Sequence, residues 1–265
     1  MLLPGSTVVG DLQGEDRGAA AADERGARRT EALEAVADLY AYPDSLPPAG
    51  WVRANMVSTL DGSAVAADGV TAGISHPVDK AVFAVLRALS DVVLVGAGTV
   101  RAERYGPPAA SAVFAARRAA AGQAPAPALA VVTRSGDVPT ETGLFAADAA
   151  TLVVAPAAAD LDRLRDLAGP DRVVVAGTDD VDPVSAVAQL AGRGLRRVLL
   201  EGGPQLLGRV VAAGRLDELC LTLSPLLAGG AGPRIAVGDR ADVRLRAAHL
   251  VESDGLLLGR WLVAR

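Results

Sequence analysis

Between residues 129 and 213 the chain alternates short apolar runs with helical patterns, and no other feature restricts its fold as strongly. The runs at 129–133, 151–155, 172–176 and 196–200 are short and rich in Val, Leu and Ala; helical patterns follow at 160–168, 183–192 and 204–213. Such alternation builds parallel βαβ units, whose strands are covered on both faces and therefore apolar along their length. Upstream, a helical pattern from Thr30 to Tyr42 places Leu33, Val36, Ala37 and Tyr40 on one face and stops at Pro43. A strand at 51–57 leads into the turn 58–62 and a small-residue loop at 62–75. Pro77 then opens a helix carrying Phe83, Leu86 and Leu89, a buried strand covers 91–95, and a second helical stretch lies at about 109–121. The end differs: 218–223, 243–252 and 256–264 read as strands, the last two joined by the turn Ser253-Asp254-Gly255. The reading is an α/β fold, a mostly parallel central sheet flanked by helices with antiparallel C-terminal strands. Residues 1–46 form an N-terminal arm and helix, with 1–29 expected to be mobile, and 47–265 form one domain.

Hydrophobic residues make up 51% of the 265 and aromatics only 3%, so Ala, Val and Leu must build the core. A net charge of −5 offers no electrostatic footprint for nucleic acid. The single cysteine, Cys220, excludes an internal disulfide and sits between two leucines as a small buried hydrophobe. His76 and His249 are isolated, so no metal-ligand cluster is expected. No stretch has the length of a membrane span, and the expectation is a soluble, cytoplasmic protein.

The sharpest instance of the alternation is 196–214. The run Val198-Leu199-Leu200 stops at Glu201-Gly202-Gly203-Pro204, and a helix follows with Leu206, Leu207, Val210 and Val211 on one face and Gly214 at its end. A strand–Gly-Gly–helix junction exposes backbone N–H groups and a positive helix end, which suits a phosphate or pyrophosphate. Glu201 is a charge at the end of a buried strand and needs a partner; a tight turn with a capping acid is the plainer alternative. A second glycine turn, Gly96-Ala97-Gly98-Thr99, also follows a strand. Neither turn is a dinucleotide fingerprint; that at Gly96 lacks a third glycine at the right spacing and an acidic residue ending a strand about twenty positions on. Two such turns on adjacent strands would still hold an extended dinucleotide across a sheet.

Val-Ser-Thr-Leu-Asp-Gly at 57–62, Arg87-Ala88-Leu89-Ser90-Asp91 running into Gly96-Ala97-Gly98-Thr99, and Glu201-Gly202-Gly203-Pro204 with Leu216-Asp217-Glu218-Leu219 behind it occur in a characteristic order. Over roughly 48–264 the chain resembles the reductase domain of riboflavin biosynthesis, the pyrimidine reductases of the dihydrofolate-reductase-like superfamily. The resemblance implies NADPH as cofactor and hydride transfer to an imine-like carbon of a phosphoribosylamino-pyrimidine. It places Val57, Gly96, Thr99 and Glu103 at the cofactor, with the turn Gly202, Gly203, Pro204, Gln205, Leu206 and Leu207 around the pyrophosphate and Thr133 near the adenosine. Arg134 and Ser135 are local candidates for the 2′-phosphate, Arg134 being equally readable as a solvated turn arginine. On the substrate side it implies Thr71 and Ser75 in a covering loop, Arg87 at the substrate phosphate and Glu201 at the pyrimidine. A homodimer is implied too, with the C-terminal strands and their Leu256-Leu257-Leu258 run as its natural edge.

Two departures stand out. The segment Glu103-Arg104-Tyr105-Gly106-Pro107-Pro108 lacks the family's further arginine for the phosphoribosyl tail, and the loop reads Val70-Thr71-Ala72-Gly73 instead of Trp-Ile-Thr-Gly. Asp79, in the first turn of the helix opened by Pro77, is similar in position to the catalytic acid of dihydrofolate reductases, although an acid there also serves the helix dipole. Asp79 and Glu201 are therefore the candidate catalytic residues, assisting protonation directly or through water. A dihydrofolate or pterin reductase and an NADPH-binding protein without turnover stand as alternatives.

Overall fold

Runs of Val, Leu and Ala too short for buried helices form the middle of a nine-stranded sheet in the computed structural model, which describes residues 19–140, 143–146 and 149–265. The strands are β1 (Trp51–Thr59), β2 (Val92–Gly96), β3 (Ala128–Val132), β4 (Thr151–Ala155), β5 (Val173–Val175), β6 (Arg197–Leu200), β7 (Glu218–Ser224), β8 (Leu245–Ser253) and β9 (Leu256–Val263). Their order is β5-β4-β3-β2-β6-β1-β7-β9-β8; pairs from β5 to β7 are parallel, and β9 and β8 are antiparallel additions.

Successive residues of the parallel strands enter two cores on opposite faces, as the pleat requires. Val93, Val95, Leu129, Val131 and Leu199 face one core, closed by α1 (Ala19–Leu39), α2 (Pro77–Leu89), α3 (Ala97–Ala102) and α5 (Leu161–Ala168). Val52, Ala54, Val92, Leu94, Val198 and Leu200 face the other, closed by α6 (Pro183–Gly192) and α7 (Pro204–Ala212). A short α4 (Ala115–Ala120) hangs on Phe114, which is buried in the first core. Helix starts follow local chemistry: Asp160 caps α5, Asp182 caps α6, and Pro opens α2, α6 and α7.

β6 returns to lie between β1 and β2 after the chain has stepped outward through β3, β4 and β5. That is the switch point of the sheet, and the crevice at the carboxyl ends of its strands is where an open α/β sheet holds ligands.

Four expectations need correction. The N-terminal helix starts at Ala19, not Thr30, so residues 19–29 are helical, while 1–18 lie outside the described residues. The stretch at 109–121 narrows to Ala115–Ala120, ended by Gly122 at φ 67°. Ala97 and Thr99 are already helical, because Val100 and Ala97 are drawn into the core directly after β2. Leu256 and Leu258 are buried on β9, between two strands; the sheet edge is β8, where Leu245 and Leu250 are exposed.

Candidate functional site

Two hollows meet at Thr99, which lines both, beside the carboxyl ends of β1, β2 and β6. One has a volume of about 410 Å³ and collects residues from β1, the 71–75 loop, α2, the segment after α3 and the end of β6. The other, about 600 Å³, runs along the ends of β2 and β3 and the start of α7. Of the residues singled out from sequence, Val57, Thr71, Ser75, Asp79, Arg87, Thr99, Glu103 and Glu201 line the first. Gly96, Thr99, Thr133, Arg134, Ser135, Gly203, Pro204, Gln205 and Leu206 line the second. Leu207, on the buried face of α7, lines neither, and nor does Gly202. A separate hollow of about 600 Å³ between α7 and the loop 234–242 contains none of these residues.

Glu201 is buried at the end of β6, and its partner is Arg87. Arg87 donates from Nε to Oε1 at 2.7 Å and from Nη2 to Oε2 at 2.6 Å, a bidentate fork. The Tyr105 hydroxyl donates to Oε2 at 3.0 Å, and the guanidinium lies 4.2 Å from the Phe83 ring centroid and 5.2 Å from that of Tyr105. Burial raises the Glu201 carboxyl against the pull of Arg87. Two positions expected to meet a ligand separately are therefore joined to each other, with most of Arg87's fork committed. Tyr105 escaped notice because nothing in the sequence shows that 103–108 folds back over β6.

The other two carboxylates are held by neutral donors. Asp79 accepts from Ser75 Oγ at 2.6 Å, and Glu103 accepts from the Thr71 amide at 3.0 Å and hydroxyl at 3.1 Å. Glu103 thus belongs to the pocket with Thr71 rather than to the second hollow, because α3 turns it inward across the loop.

In the second hollow Gly96 N–H donates to Gly202 O at 3.0 Å, fastening β2 to the turn after β6. Gly202 has φ 118°, a region that favours glycine, and its peptide bond to Gly203 is cis. A Cβ on Gly203 would stand 2.8 Å from Thr99 Oγ1. α7 begins here with no side-chain cap, which leaves the first-turn amides of Gln205 and Leu206, both residues of this hollow, without a side-chain partner. This bare-backbone cradle fits the pyrophosphate of a dinucleotide. Thr133 donates to Asp137 O at 3.0 Å and Ser135 Oγ accepts from Asp137 N at 3.3 Å, so both hydroxyls also shape their turn. Arg101 pairs with Asp137 and Arg209 with Asp180; Arg134 lines the same hollow without an ion pair among the described residues. No group of three His, Cys, Asp or Glu side chains able to hold a metal occurs among the described residues. No helix among them is long and apolar enough to cross a membrane.

The wall of this hollow includes Val237, whose amide donates to Pro204 O at 3.0 Å. A methyl group on Gly208 of α7 would stand 2.8 Å from the Val237 carbonyl carbon. Gly208→Ala is expected to displace this loop and cost roughly 1–3 kcal/mol, checked by thermal melts.

Residues 50–257 match the family model described as the RibD C-terminal domain. The 2,5-diamino-6-ribosylamino-4(3H)-pyrimidinone 5′-phosphate reductase of Archaeoglobus fulgidus is 29% identical over 180 residues, 68% of this chain and 82% of that protein. Riboflavin biosynthesis protein RibD of Mycobacterium tuberculosis is 31% identical over 201 residues, 76% of this chain and 48% of that longer protein. The crystal structure of a pyrimidine reductase-like protein from Corynebacterium diphtheriae superposes with a TM-score of 0.76 at 26% identity, covering 86% of this chain and 99% of that one.

Proposed function

This chain belongs to the RibD C-terminal domain family, and on that footing we propose that it is a riboflavin-pathway reductase, reducing a ribosylaminopyrimidine 5′-phosphate with NADPH. The observation that carries the reading is the pair of hollows joined at Thr99, one a bare-backbone cradle and the other a polar pocket of substrate size. NADPH, when bound, supplies a hydride for an imine-like carbon of the substrate. The chain's own work is to hold the two reactants together and manage a proton.

Glu201 has both oxygens engaged by Arg87 and Tyr105, so its part is to orient and accept hydrogen bonds beside the pyrimidine. Asp79, buried in the pocket wall and accepting from Ser75, is the carboxylate that in this reading directs a water or passes a proton to the imine nitrogen. The test is NADPH oxidation with the pyrimidine phosphate and dihydrofolate side by side. Turnover of the pyrimidine is expected, and turnover of dihydrofolate alone would overturn the reading. Asp79→Asn and Glu201→Gln should each impair it; if both turned over normally, these roles would be wrong.

Preference for NADPH over NADH is supported by Arg134, the arginine of the second hollow that forms no ion pair among the described residues. Arg134→Ser is expected to weaken NADPH roughly 10- to 100-fold, the worth of a charge-assisted hydrogen bond, and to leave NADH unchanged. Equal losses for both dinucleotides would place the 2′-phosphate elsewhere. The reading includes a homodimer, supported by the open edge of β8, and a cytoplasmic setting, supported by the need for an NADPH supply. Light scattering of the purified protein checks the dimer.

A further inference from the structure

Among the described residues Glu201 accepts three side-chain hydrogen bonds, and its two oxygens share them unequally. Oε1 accepts from Arg87 Nε at 2.7 Å. Oε2 accepts from Arg87 Nη2 at 2.6 Å and from the Tyr105 hydroxyl at 3.0 Å. A carboxylate oxygen has two acceptor sites, so both sites of Oε2 are taken and one is left at Oε1. All three residues line the 410 Å³ pocket.

The fold spends several contacts on aiming Tyr105. Its amide donates to Val100 O at 3.0 Å, and Glu103 just before it is held by the Thr71 amide and hydroxyl. Arg104 between them takes φ 51°, a left-handed conformation in which glycine is the unstrained choice. A turn held in that state for a residue other than glycine points to what it positions. The Tyr105 ring packs against the first core, and its centroid lies 5.2 Å from the guanidinium carbon of Arg87. Burial, and then the Glu201 charge, push the phenol well above its ordinary range, so it stays a donor at any working pH.

We propose that Tyr105 is a positioning residue for the reaction: its hydroxyl fills Oε2 of Glu201 and leaves Oε1 as the acceptor offered to the substrate's ring. This rests on the reading of Glu201 as the group beside the pyrimidine. Arg87 supplies the counter-charge, whereas Tyr105 supplies direction, because a hydroxyl on a ring packed into the core has one line of approach. The segment that lacks the family's further arginine thus serves the site through a phenol. Arg87 from α2 and Tyr105 from the segment after α3 face Glu201 directly; Asp79, Lys80, Glu103 and Arg104 are the other charged groups of the pocket. Burial already raises the Glu201 carboxyl, and losing a donor to its ionised form would raise it further.

The test is Tyr105→Phe, which keeps the ring in the core and removes only the hydroxyl. Carbon NMR of carboxyl-labelled glutamate, with Glu201→Gln to assign the signal, should show Glu201 taking its proton about one pH unit higher in the variant. The acid limb of kcat/KM for the pyrimidine phosphate should move up with it, and the optimum should fall about tenfold. NADPH affinity should match wild type, since Tyr105 does not line the second hollow. An unmoved Glu201 signal overturns the inference, and so does a moved signal with wild-type kcat/KM at every pH. A moved signal in a protein that turns over no pyrimidine would sustain the tie between Tyr105 and Glu201 and remove the functional reading instead.

Discussion

Replacing Glu218 with Gln is expected to destabilise the protein by about 3–5 kcal/mol, the cost of leaving a buried charge without its counter-ion. Glu218 is 0% exposed and lies between two arginines. Arg53 Nε is 2.7 Å from Oε1, and Arg260 Nε donates to the same oxygen at 2.8 Å. Trp51 Nε1 donates to Oε2 at 3.1 Å. The arginines continue outward: Arg53 donates to Tyr40 O at 2.7 Å, and Arg260 donates to Leu39 O at 2.7 Å and Ala41 O at 2.9 Å. One carboxylate thus fastens β1, β7 and β9 to the end of α1. With Gln in its place, two guanidinium groups face each other in the interior. For a chain of this size the loss corresponds to a fall of roughly 10 °C in Tm, read by calorimetry. A fall of only a degree or two would mean that water reaches the cluster.

The same cluster sets the acid limb of stability. Burial alone would raise the Glu218 carboxyl, but Arg53 and Arg260 override it and hold it below the ordinary carboxylate range. Its contribution is therefore complete above the unfolded pKa near ~4.3 and is lost as pH falls through the lower folded value. His249, on β8 opposite Arg260, is pushed down to about 4, first by burial and then by the Arg260 charge. Between roughly 6.5 and 4 the unfolded chain binds a proton on His249 that the folded chain refuses, so stability falls as pH is lowered across that window. Midpoints of urea unfolding against pH should show both phases, and His249→Phe should remove the upper one alone.

The second large effect is at Arg87–Glu201. Arg87→Lys is expected to lose nearly as much as Arg87→Ala, about a hundredfold or more in kcat/KM for the pyrimidine, because an ammonium cannot fork to both oxygens at 2.7 and 2.6 Å. It would also leave Glu201, whose side chain is fully buried, short of one donor. NADPH affinity should stay close to wild type, since neither residue lines the second hollow. Wild-type kinetics in Arg87→Lys would show that the fork is dispensable and that charge alone suffices.

These two clusters show where sequence reading reaches and where it stops. Most strand and helix positions from β1 to α7, α3 and the bounds of α4 excepted, follow from period and from punctuation by Gly and Pro, which are local properties of the chain. The α/β fold, the parallel sheet with antiparallel C-terminal strands and the Gly202-Gly203 cradle were therefore legible in the residues alone. The chain also marked Glu201 and Asp79 as notable charges, since a carboxylate at the end of a buried run or in a helix's first turn is visible one residue at a time; Arg87 entered only through the family resemblance. It did not show that Arg87 belongs to Glu201, 114 positions away, or that Tyr105 completes the pair. Nor did it show that Arg53, Glu218 and Arg260 meet in the interior, or that Leu256 and Leu258 turn inward. Which charge pairs with which depends on the order of strands in the sheet and on how a loop closes over it. Those are contacts between distant segments, decided by tertiary packing, whereas periodicity and turn chemistry are written locally along the chain.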